Sequence, residues 1–456
     1  MESKEKLMNR WLVVVGAVLV QLCAGAIYAW SAYTSDLTKA VSQGGLYGFT
    51  KAESQWIFSI GLATFAVMTV IAGNWQKKSC PKNVAMAGGI VLGAGYILAG
   101  LFGSTFWSQL IFIGLIGGAG IGLAYVCPIA CGVKWFPDKK GLITGLAVAG
   151  FGFGALIWIK LAGGFFGWKG LLAAAPNGLH FAFCNGGSAL QSTWFLYGVI
   201  YLIAIVLGSI WMLNPPEGYC PANWIPPTAA KAADTGGVDF DQKEMLGTPQ
   251  FWMIWFCFMA GAMAGLMVTG VIKLFSTDAL QMTGATADAA KAAAAMAYGV
   301  FFALANGLGR ILWGLISDSL GRKRSIFLMC LIQGIAMLTF FFVGKNLGLL
   351  YVWCVVLGFN FGGNFALFPA ATADYFGNRN VGTNYGWMFT SYGVGGIAGP
   401  VIAGKFADLV PATAAIAQKY DAWMPPFIIA GALCIVAAVV ILLTQKPKKA
   451  VAPAAA

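Results

Sequence analysis

One arginine of this sequence differs from the other charged residues because it lies inside a long apolar run. Arg310 falls within residues 296–317, whereas the sixteen acidic residues lie in loops, in tails or at the ends of apolar runs. A charged side chain at the centre of a bilayer costs about 2.5–3.5 kcal/mol on the insertion scale, so such a residue indicates a function. A guanidinium without an acidic partner binds anions, and its planar fork matches a carboxylate. The alternative is that Arg310 donates to helix carbonyls and braces the fold.

Neutral polar side chains in the same apolar run and in others are suited to share this site. Asn306 lies one helical turn before the arginine and therefore on the same helix face. A phenol can donate a hydrogen bond to a carboxylate while its ring packs against the carbon skeleton. For each tyrosine and asparagine the alternative is a packing contact between helices. The predicted substrate-binding residues are Arg310, Asn306, Tyr28, Tyr125, Tyr392 and Asn364.

The number of cations predicts the charge of the substrate. One central guanidinium with neutral partners favours a monocarboxylate such as lactate, pyruvate, glycolate, acetate or formate over a dianion. The other basic residues near apolar runs, Lys160, Lys273 and Lys405, lie toward the predicted outer ends, where long stems reach water. Lys273 or Lys405 could instead attract anions to an outer vestibule.

The elements that position these residues are membrane-spanning helices. The chain has 456 residues, of which 59% are hydrophobic and only 10% charged, whereas a soluble domain has about 25% charged residues. This composition excludes a soluble enzyme and predicts an all-α membrane protein with twelve transmembrane helices, since about 20 apolar residues span a bilayer. The predicted spans are 11–33, 54–76, 84–103, 106–133, 141–165, 194–213, 250–274, 296–317, 325–344, 348–373, 382–407 and 424–444.

The distribution of basic residues predicts the orientation. With the N-terminus inside, inner segments hold roughly twice as many Lys and Arg residues as outer segments, which places both termini in the cytoplasm. The net charge of +12 therefore reflects membrane topology, and no nucleic-acid partner is predicted. We expect the protein to lie in the lipid bilayer of the cell inner membrane. We also expect it to function as a monomer.

Two connections between the predicted spans are longer than the others, and they suggest the domain organisation. Residues 214–248 are polar and rich in proline, as in a cytoplasmic linker between an N-terminal six-helix bundle (1–213) and a C-terminal one (249–444). Residues 166–193 form an outer insertion that holds His180, the one histidine of the chain. We expect the tail, 445–456, to be disordered.

An internal repeat supports the division into two halves. A shift of 241 positions places Gly117 on Gly358, Pro128 on Pro369 and Gly141 on Gly382, and it also places Gly73 on Gly314, so the same shift relates three helix pairs. Parallel repeats related by an axis along the membrane normal are typical of transporters whose site lies at the midplane between the halves. Glycines that recur in spans five and eleven predict close approach of the halves, or ordinary packing of small residues.

One loop carries a family resemblance. The stretch Gly314-Leu-Ile-Ser-Asp318-Ser-Leu-Gly321-Arg322 resembles the signature loop of the major facilitator superfamily. The resemblance implies a gating role for Gly314, Asp318, Gly321 and Arg322, and an acid at a helix end can bind helix N-termini or basic residues. The equivalent first-half loop, 73–82, lacks the acid. The alternative role of the basic residues is to orient the chain in the membrane.

Within that superfamily the chain resembles the oxalate/formate exchanger group and its monocarboxylate-transporting relatives. The resemblance rests on residues 25–31, 54–59, 122–128, 306–310, 384–386 and 390–393. The dicarboxylate-exchanging branch of that group has a lysine where this chain has Tyr392, so the resemblance also favours a monocarboxylate.

Transport without a cofactor or metal is the function that these features predict. No Gly-x-x-x-x-Gly-Lys-Ser/Thr loop occurs, so ATP is not the direct energy source. No predicted span carries an acid or histidine at mid-depth, so either a proton travels with the substrate carboxyl or one anion is exchanged for another. We predict lactate-like uptake with apparent proton symport, with carboxylate exchange as the alternative. A sensor, a membrane enzyme and a carrier of another solute fit the residues less well.

Overall fold

The computed structural model describes residues 8–39, 41–43, 45–164, 168–173, 178–184, 188–221, 239–411 and 413–447. The long helices in these ranges are α1 (Trp11–Ala29), α2 (Lys51–Lys78), α3 (Pro81–Phe102), α4 (Phe106–Trp135), α5 (Lys140–Gly163), α6 (Ala189–Ser209), α7 (Pro249–Gln281), α8 (Ala287–Leu320), α9 (Arg322–Val343), α10 (Leu347–Phe376), α11 (Val381–Asp408) and α12 (Met424–Leu443). Helix α1 continues as Trp30–Thr38, and shorter helices cover Gln242–Leu246 and Ile416–Asp421.

Each predicted span falls on one of these helices, with boundaries that differ by at most nine residues, at the start of α8. Among the described residues, eleven helices are long and apolar enough to cross a membrane. Helix α11 is not among them although it has 28 residues. Its sequence is interrupted by glycines, hydroxyl residues and tyrosines, and this polarity fits a helix that lies between the two halves rather than facing lipid.

The helices form two six-helix bundles that meet along two crossings, α2 against α11 and α5 against α8. A Cβ atom added to Gly141 would collide with the backbone of Gly314, and one added to Gly73 with the backbone of Gly382. The shift of 241 that relates the halves in sequence converts the first of these pairs into the second. The two crossings are therefore equivalent contacts of the internal repeat, and glycine is required at both because the backbones touch.

Both described chain ends lie at one end of the bundle, which we call the terminus-side end. Arg10 forms a 3.0 Å ion pair with Asp138, which follows α4, and Lys446 lies 6.0 Å from the ring of Tyr375 at the end of α10. The described end of the central connection lies there too, because the Phe240 amide donates to the Phe376 carbonyl at 2.9 Å.

Local irregularities bring side chains to the centre of the bundle. Helix α1 tightens into a 3₁₀ turn over Gly25–Ala29, which carries Tyr28. Gly25 there packs against the Phe151 backbone of α5. Helices α4 and α10 each contain one internal proline, Pro128 and Pro369, at repeat-equivalent positions.

Parts of the predicted insertion, linker and tail lie outside the described residues. The structure covers 168–173, 178–184 and 188–193 of the insertion, with His180 exposed and α6 beginning at Ala189, and only the two ends of the 214–248 linker. The predicted disorder of the tail concerns residues that lie outside the description from 448 onward.

Candidate functional site

Arg310 lies at the centre of the molecule, where α8 crosses α5, and it is fully buried. Its Nε donates to Asn306 Oδ1 at 2.9 Å, and its Nη1 donates across the interface to the Val148 carbonyl at 3.0 Å. Its Nη2 has no hydrogen-bond partner among the described residues, and the ion pairs of the described chain involve other side chains. Neutral side chains of the described residues also bury polar atoms without a partner, but Nη2 is the one such atom that belongs to a charged group, and an uncompensated buried charge is the costlier case.

Aromatic rings offset part of the cost of burying this charge. The guanidinium carbon lies 4.0 Å from the centroid of Phe365 in α10 and 5.4 Å from that of Phe151 in α5. A desolvated cation–π contact contributes about 2 kcal/mol, which is comparable with the cost of the charge on the insertion scale. These rings hold the cation in place and leave Nη2 free for an anion.

Four phenols surround the arginine as two pairs, and each pair joins the two halves. The hydroxyls of Tyr28 and Tyr392 are in hydrogen-bond contact, and Tyr28 lies beside the guanidinium. The hydroxyls of Tyr125 and Tyr385 are 3.3 Å apart. Because residues 385 and 392 are two helical turns apart on α11, the two pairs form two tiers of the same interface.

The walls between these tiers are apolar and aromatic. The Phe389 ring lies 4.7 Å from that of Tyr125 and 4.8 Å from that of Tyr392, and the Phe65 ring lies 5.0 Å from that of Tyr125. One cation, four hydroxyls and phenyl walls can bind a small anion that has one carboxylate and a short apolar body. They offer no second cation to a dianion.

A narrow cavity borders the site. It is lined by Tyr28 and Asn306 and by residues farther along α5, α7 and α8, including Ile159, Thr269 and Tyr298. The space free for water is only about 20 Å³, enough for about one water molecule. Since the chain direction of α5 and α8 places Ile159 and Tyr298 away from the chain ends, the cavity leads toward the end opposite the terminus-side end.

The structure brings five of the six predicted substrate residues together around the guanidinium. The sixth, Asn364, lies elsewhere: its amide donates to the Asn360 and Phe361 carbonyls of its own helix, and its Oδ1 faces Gly261 of α7. Tyr385 was not among the predicted site residues. Its spacing of seven residues from Tyr392 could have indicated it, because residues seven apart lie on the same face of a helix. Phe151 and Phe365 gave no signal, because phenylalanine is ordinary in an apolar run.

The terminus-side end is closed by a cluster of charged residues that we call the latch: Asp318, Arg322, Asp374 and Lys140. The carboxylate of Asp318 accepts from the amides of Gly141 and Leu142, both at 2.8 Å, in the first turn of α5. It therefore caps a helix of the other half, where negative charge is stabilised. Its other contact is a 2.7 Å ion pair with Arg322.

The latch continues to two residues that the sequence analysis did not select. Arg322 Nε lies 2.8 Å from Asp374 Oδ2, and Lys140 Nζ lies 2.9 Å from Asp374 Oδ1. Gly321 has a φ of 87°, which only glycine adopts without strain, and this turn places Arg322 directly after α8. Gly314 lies at the glycine contact with α5 described above.

The second crossing closes without charges. At the positions that the internal repeat relates to the latch, α4, α10 and α11 contribute a small apolar cluster of Ala130, Val133, Ala373 and Val381. Val133 and Val381 occupy the positions that correspond to Asp374 and Lys140 of the latch. Among the described residues, ion pairs therefore join the halves at the first crossing, whereas apolar packing and a 2.8 Å hydrogen bond from Thr383 Oγ1 to the Gly73 carbonyl join them at the second.

Replacing Asp318 by asparagine is expected to slow transport about tenfold. An amide oxygen can still accept one backbone N–H, but the capping charge and the ion pair with Arg322 are lost, each worth about 1 kcal/mol when partly buried. The measurement is the initial rate at which proteoliposomes take up labelled L-lactate, a member of the substrate class predicted from the sequence. Asp138→Asn is the matched control, because Asp138 pairs with Arg10 at the same end but within one half. Equal slowing of both variants would contradict a role of the latch.

The sequence matches a family model over most of its length. The model described as Major Facilitator Superfamily matches residues 10–302 and 286–456. Among solved structures, a bacterial homolog of the human lysosomal transporter Spinster, in an inward-facing and unoccupied conformation, resembles this chain with a TM-score of 0.59 over 97% of both chains. The identity of 15% means that this likeness concerns the fold alone.

Three curated relatives cover most of the chain. The "Uncharacterized MFS-type transporter YhjX" of Escherichia coli is 30% identical, over 85% of this chain and 86% of its own length. The "Oxalate:formate antiporter" of Oxalobacter formigenes is 27% identical, over 89% and 88%. The "Apicoplast pyruvate carrier 1" of Toxoplasma gondii is 26% identical, over 86% and 83%.

The family model, the coverage of these relatives and the fold agree. The chain belongs to the Major Facilitator Superfamily and is a multi-pass membrane transporter, not an enzyme.

Proposed function

We propose that the protein carries a small monocarboxylate across the membrane by alternating access, with Arg310 as the carboxylate-binding residue. The observation that carries the proposal is the Nη2 group of this fully buried arginine, which lacks a partner among the described residues and lies at the interface of the halves. A carboxylate bound there would satisfy Nη2 and neutralise the charge. The hydroxyls of Tyr28 and Tyr392 would donate to the same carboxylate.

The substrate class is supported by the composition of the site and by two relatives. One cation suits one carboxylate, and the rings of Phe389 and Phe65 suit a short apolar body. By their names, the Oxalobacter formigenes relative moves oxalate and formate and the Toxoplasma gondii relative moves pyruvate. All three compounds are small carboxylates, and formate and pyruvate carry a single carboxyl group.

Alternating access follows from the charge of the site. An empty, unpaired guanidinium resists removal of water from both sides, whereas an occupied and neutral site does not. In the present conformation the latch and the glycine crossings close the terminus-side end. If that end is cytoplasmic, as the basic loops indicate, the narrow cavity marks the direction in which the site would open to the outer side, and the reverse movement requires the latch to open.

Coupling to protons is part of the proposal. The described contacts of Arg310 are with an amide, a carbonyl and aromatic rings, so a proton would move with the substrate carboxyl rather than on an acidic side chain. Exchange of one carboxylate for another is the second candidate, and the word antiporter in the name of a relative favours it.

Uptake by proteoliposomes distinguishes the two modes. Purified protein is reconstituted, and uptake of labelled L-lactate, formate and oxalate is measured in separate assays with and without an inward proton gradient, in empty vesicles and in vesicles preloaded with one of these carboxylates. Stimulation by the gradient in empty vesicles would support symport. Uptake that requires preloading would support exchange. Absence of uptake for each of these carboxylates in both modes would refute the proposed substrate class.

Replacing Tyr392 by lysine is expected to shift the preference from monocarboxylates to dicarboxylates. The new ammonium would lie beside Tyr28 and close to Arg310, giving the site a second cation. Two cations hold a dianion such as oxalate better than a monoanion. Competition of unlabelled oxalate against labelled lactate measures the change, which we expect to be about tenfold in relative affinity. Tyr392→Phe is the control, since it removes the hydroxyl without adding charge and should not improve competition by oxalate.

A further inference from the structure

A second group of cations lies away from Arg310, in a recess at the terminus-side end. The recess has a volume of about 610 Å³ and is open to solvent. Four basic side chains line it, Arg322, Lys323, Arg324 and Lys446, and Asp374 is the one carboxylate among its lining residues. Ligand sites of proteins have about this size.

The positive charge of this recess exceeds its negative charge. Both oxygens of Asp374 are already bound, one to Arg322 and one to Lys140. Lys323 and Arg324 come from the start of α9, whereas Lys446 follows α12 and lies over the ring of Tyr375. The fold therefore gathers cations that are more than a hundred residues apart in sequence, which a basic loop serving orientation alone does not require.

The start of α9 also lies at the recess, beside the last residues of α8, α10 and α12, so the side chains set the sign of the potential and the α9 amides add hydrogen-bond donors. Helix α9 begins after Gly321 with no side-chain cap and no acidic residue in its first turn. The first amides of such a helix have no partner within the helix and carry partial positive charge. Together with the side chains, they suit an anion with several acceptor oxygens, and a phosphate group has this chemistry.

We propose that the recess binds the phosphate of an anionic phospholipid. It lies where α9 begins and where α10 and α12 end, which is the level of lipid head groups. Leu443, the last residue of α12, is 68% exposed and directly precedes the recess residue Thr444. This apolar surface would accommodate acyl chains beside a bound head group. A phosphate there would compete with Asp374 for Arg322, so an occupied recess loosens the latch.

Native mass spectrometry of the full-length protein in detergent tests this proposal. Phosphatidylglycerol, phosphatidylcholine and inorganic phosphate are titrated separately. The wild type should bind phosphatidylglycerol in preference to phosphatidylcholine. The double variant Lys323→Gln/Arg324→Gln should bind phosphatidylglycerol about tenfold more weakly, since each basic residue at such a surface strengthens binding of anionic lipid severalfold.

A matched double variant controls for general surface charge. Lys77→Gln/Lys78→Gln removes the same charge from exposed residues of the repeat-equivalent loop at the same end of the bundle, and its affinity should stay within about twofold of the wild type. Equal weakening in both double variants, or equal binding of the two lipids, would overturn the proposal. Binding of inorganic phosphate with the same dependence on Lys323 and Arg324 would assign the site to free phosphate instead of lipid.

Thermal unfolding establishes that each variant is folded before its binding is compared. If Lys323→Gln/Arg324→Gln does not fold, the single variant Lys446→Gln replaces it, because Lys446 lies outside the helices and also lines the recess. We expect it to weaken binding of phosphatidylglycerol severalfold. An unchanged affinity would count against the site.

Discussion

Replacing Arg310 by glutamine is expected to lower carboxylate uptake about a hundredfold or more while leaving the protein folded. Removing one partner of a buried, hydrogen-bonded charge pair costs about 2–5 kcal/mol of binding, and 2.7 kcal/mol corresponds to about a hundredfold. Glutamine can still donate to a carboxylate but does not neutralise it. Initial uptake rates and substrate-induced thermal stabilisation both measure the loss.

The effect of this substitution on stability separates the two roles considered for Arg310. In the substrate-free protein its charge is buried and only partly compensated by Asn306, Val148 and two rings. If the arginine binds substrate, removing the charge should leave the melting temperature unchanged or raise it, because an uncompensated buried charge destabilises a protein. If the arginine braces the halves, the melting temperature should fall together with uptake, and that outcome would contradict the proposal.

Two further variants control this experiment. Arg310→Lys retains the charge but loses the planar fork, so we expect an intermediate loss of about tenfold. Lys160→Gln removes one positive charge from α5 near the opposite end, away from the site, and should transport within about twofold of the wild type. A loss of equal size in Lys160→Gln would mean that net charge, and not the position of Arg310, controls uptake.

Replacing Gly145 by alanine is the second substitution for which a large effect is expected. The added Cβ would collide with the Arg310 carbonyl oxygen of α8, and it would lie 3.1 Å from the carbonyl carbon of Arg310 and 3.2 Å from the Cα of Ile311. Backbone atoms cannot rotate away, so α5 and α8 must separate. The conformation closed at the terminus-side end should therefore be disfavoured, and uptake should fall about tenfold or more, since overpacking costs about 1–3 kcal/mol.

The position of the halves can be measured directly in this variant. Spin labels at Lys139 and Arg324, which are exposed at the terminus-side end in opposite halves, should show a longer distance in Gly145→Ala than in the wild type. Gly163→Ala is the matched control in the same helix, because no atom lies within 4 Å of its added Cβ. Unchanged distances and unchanged uptake in Gly145→Ala would refute the idea that this crossing must close tightly.

The sequence alone was sufficient to predict the positions of the helices, the internal repeat and the charge at the centre of the bundle. Helix positions follow from local composition, since a bilayer requires about 20 apolar residues per span, and α1–α10 and α12 follow this rule. The shift that relates Gly141 to Gly382 predicted the internal repeat, whereas the partners of these glycines across the two crossings came from the structure. Arg310 was recognisable because one charge in an apolar run is costly wherever the fold places it.

The tertiary structure decided which side chains meet across the halves. The hydroxyl pairs of Tyr28 with Tyr392 and of Tyr125 with Tyr385 join residues 364 and 260 positions apart, and no local pattern specifies such partners. The rotation of α10 about its axis directs Asn364 toward α7 and Phe365 toward Arg310. These contacts depend on crossing angles and on helix rotation, which result from packing of the whole bundle rather than from the sequence of any one span.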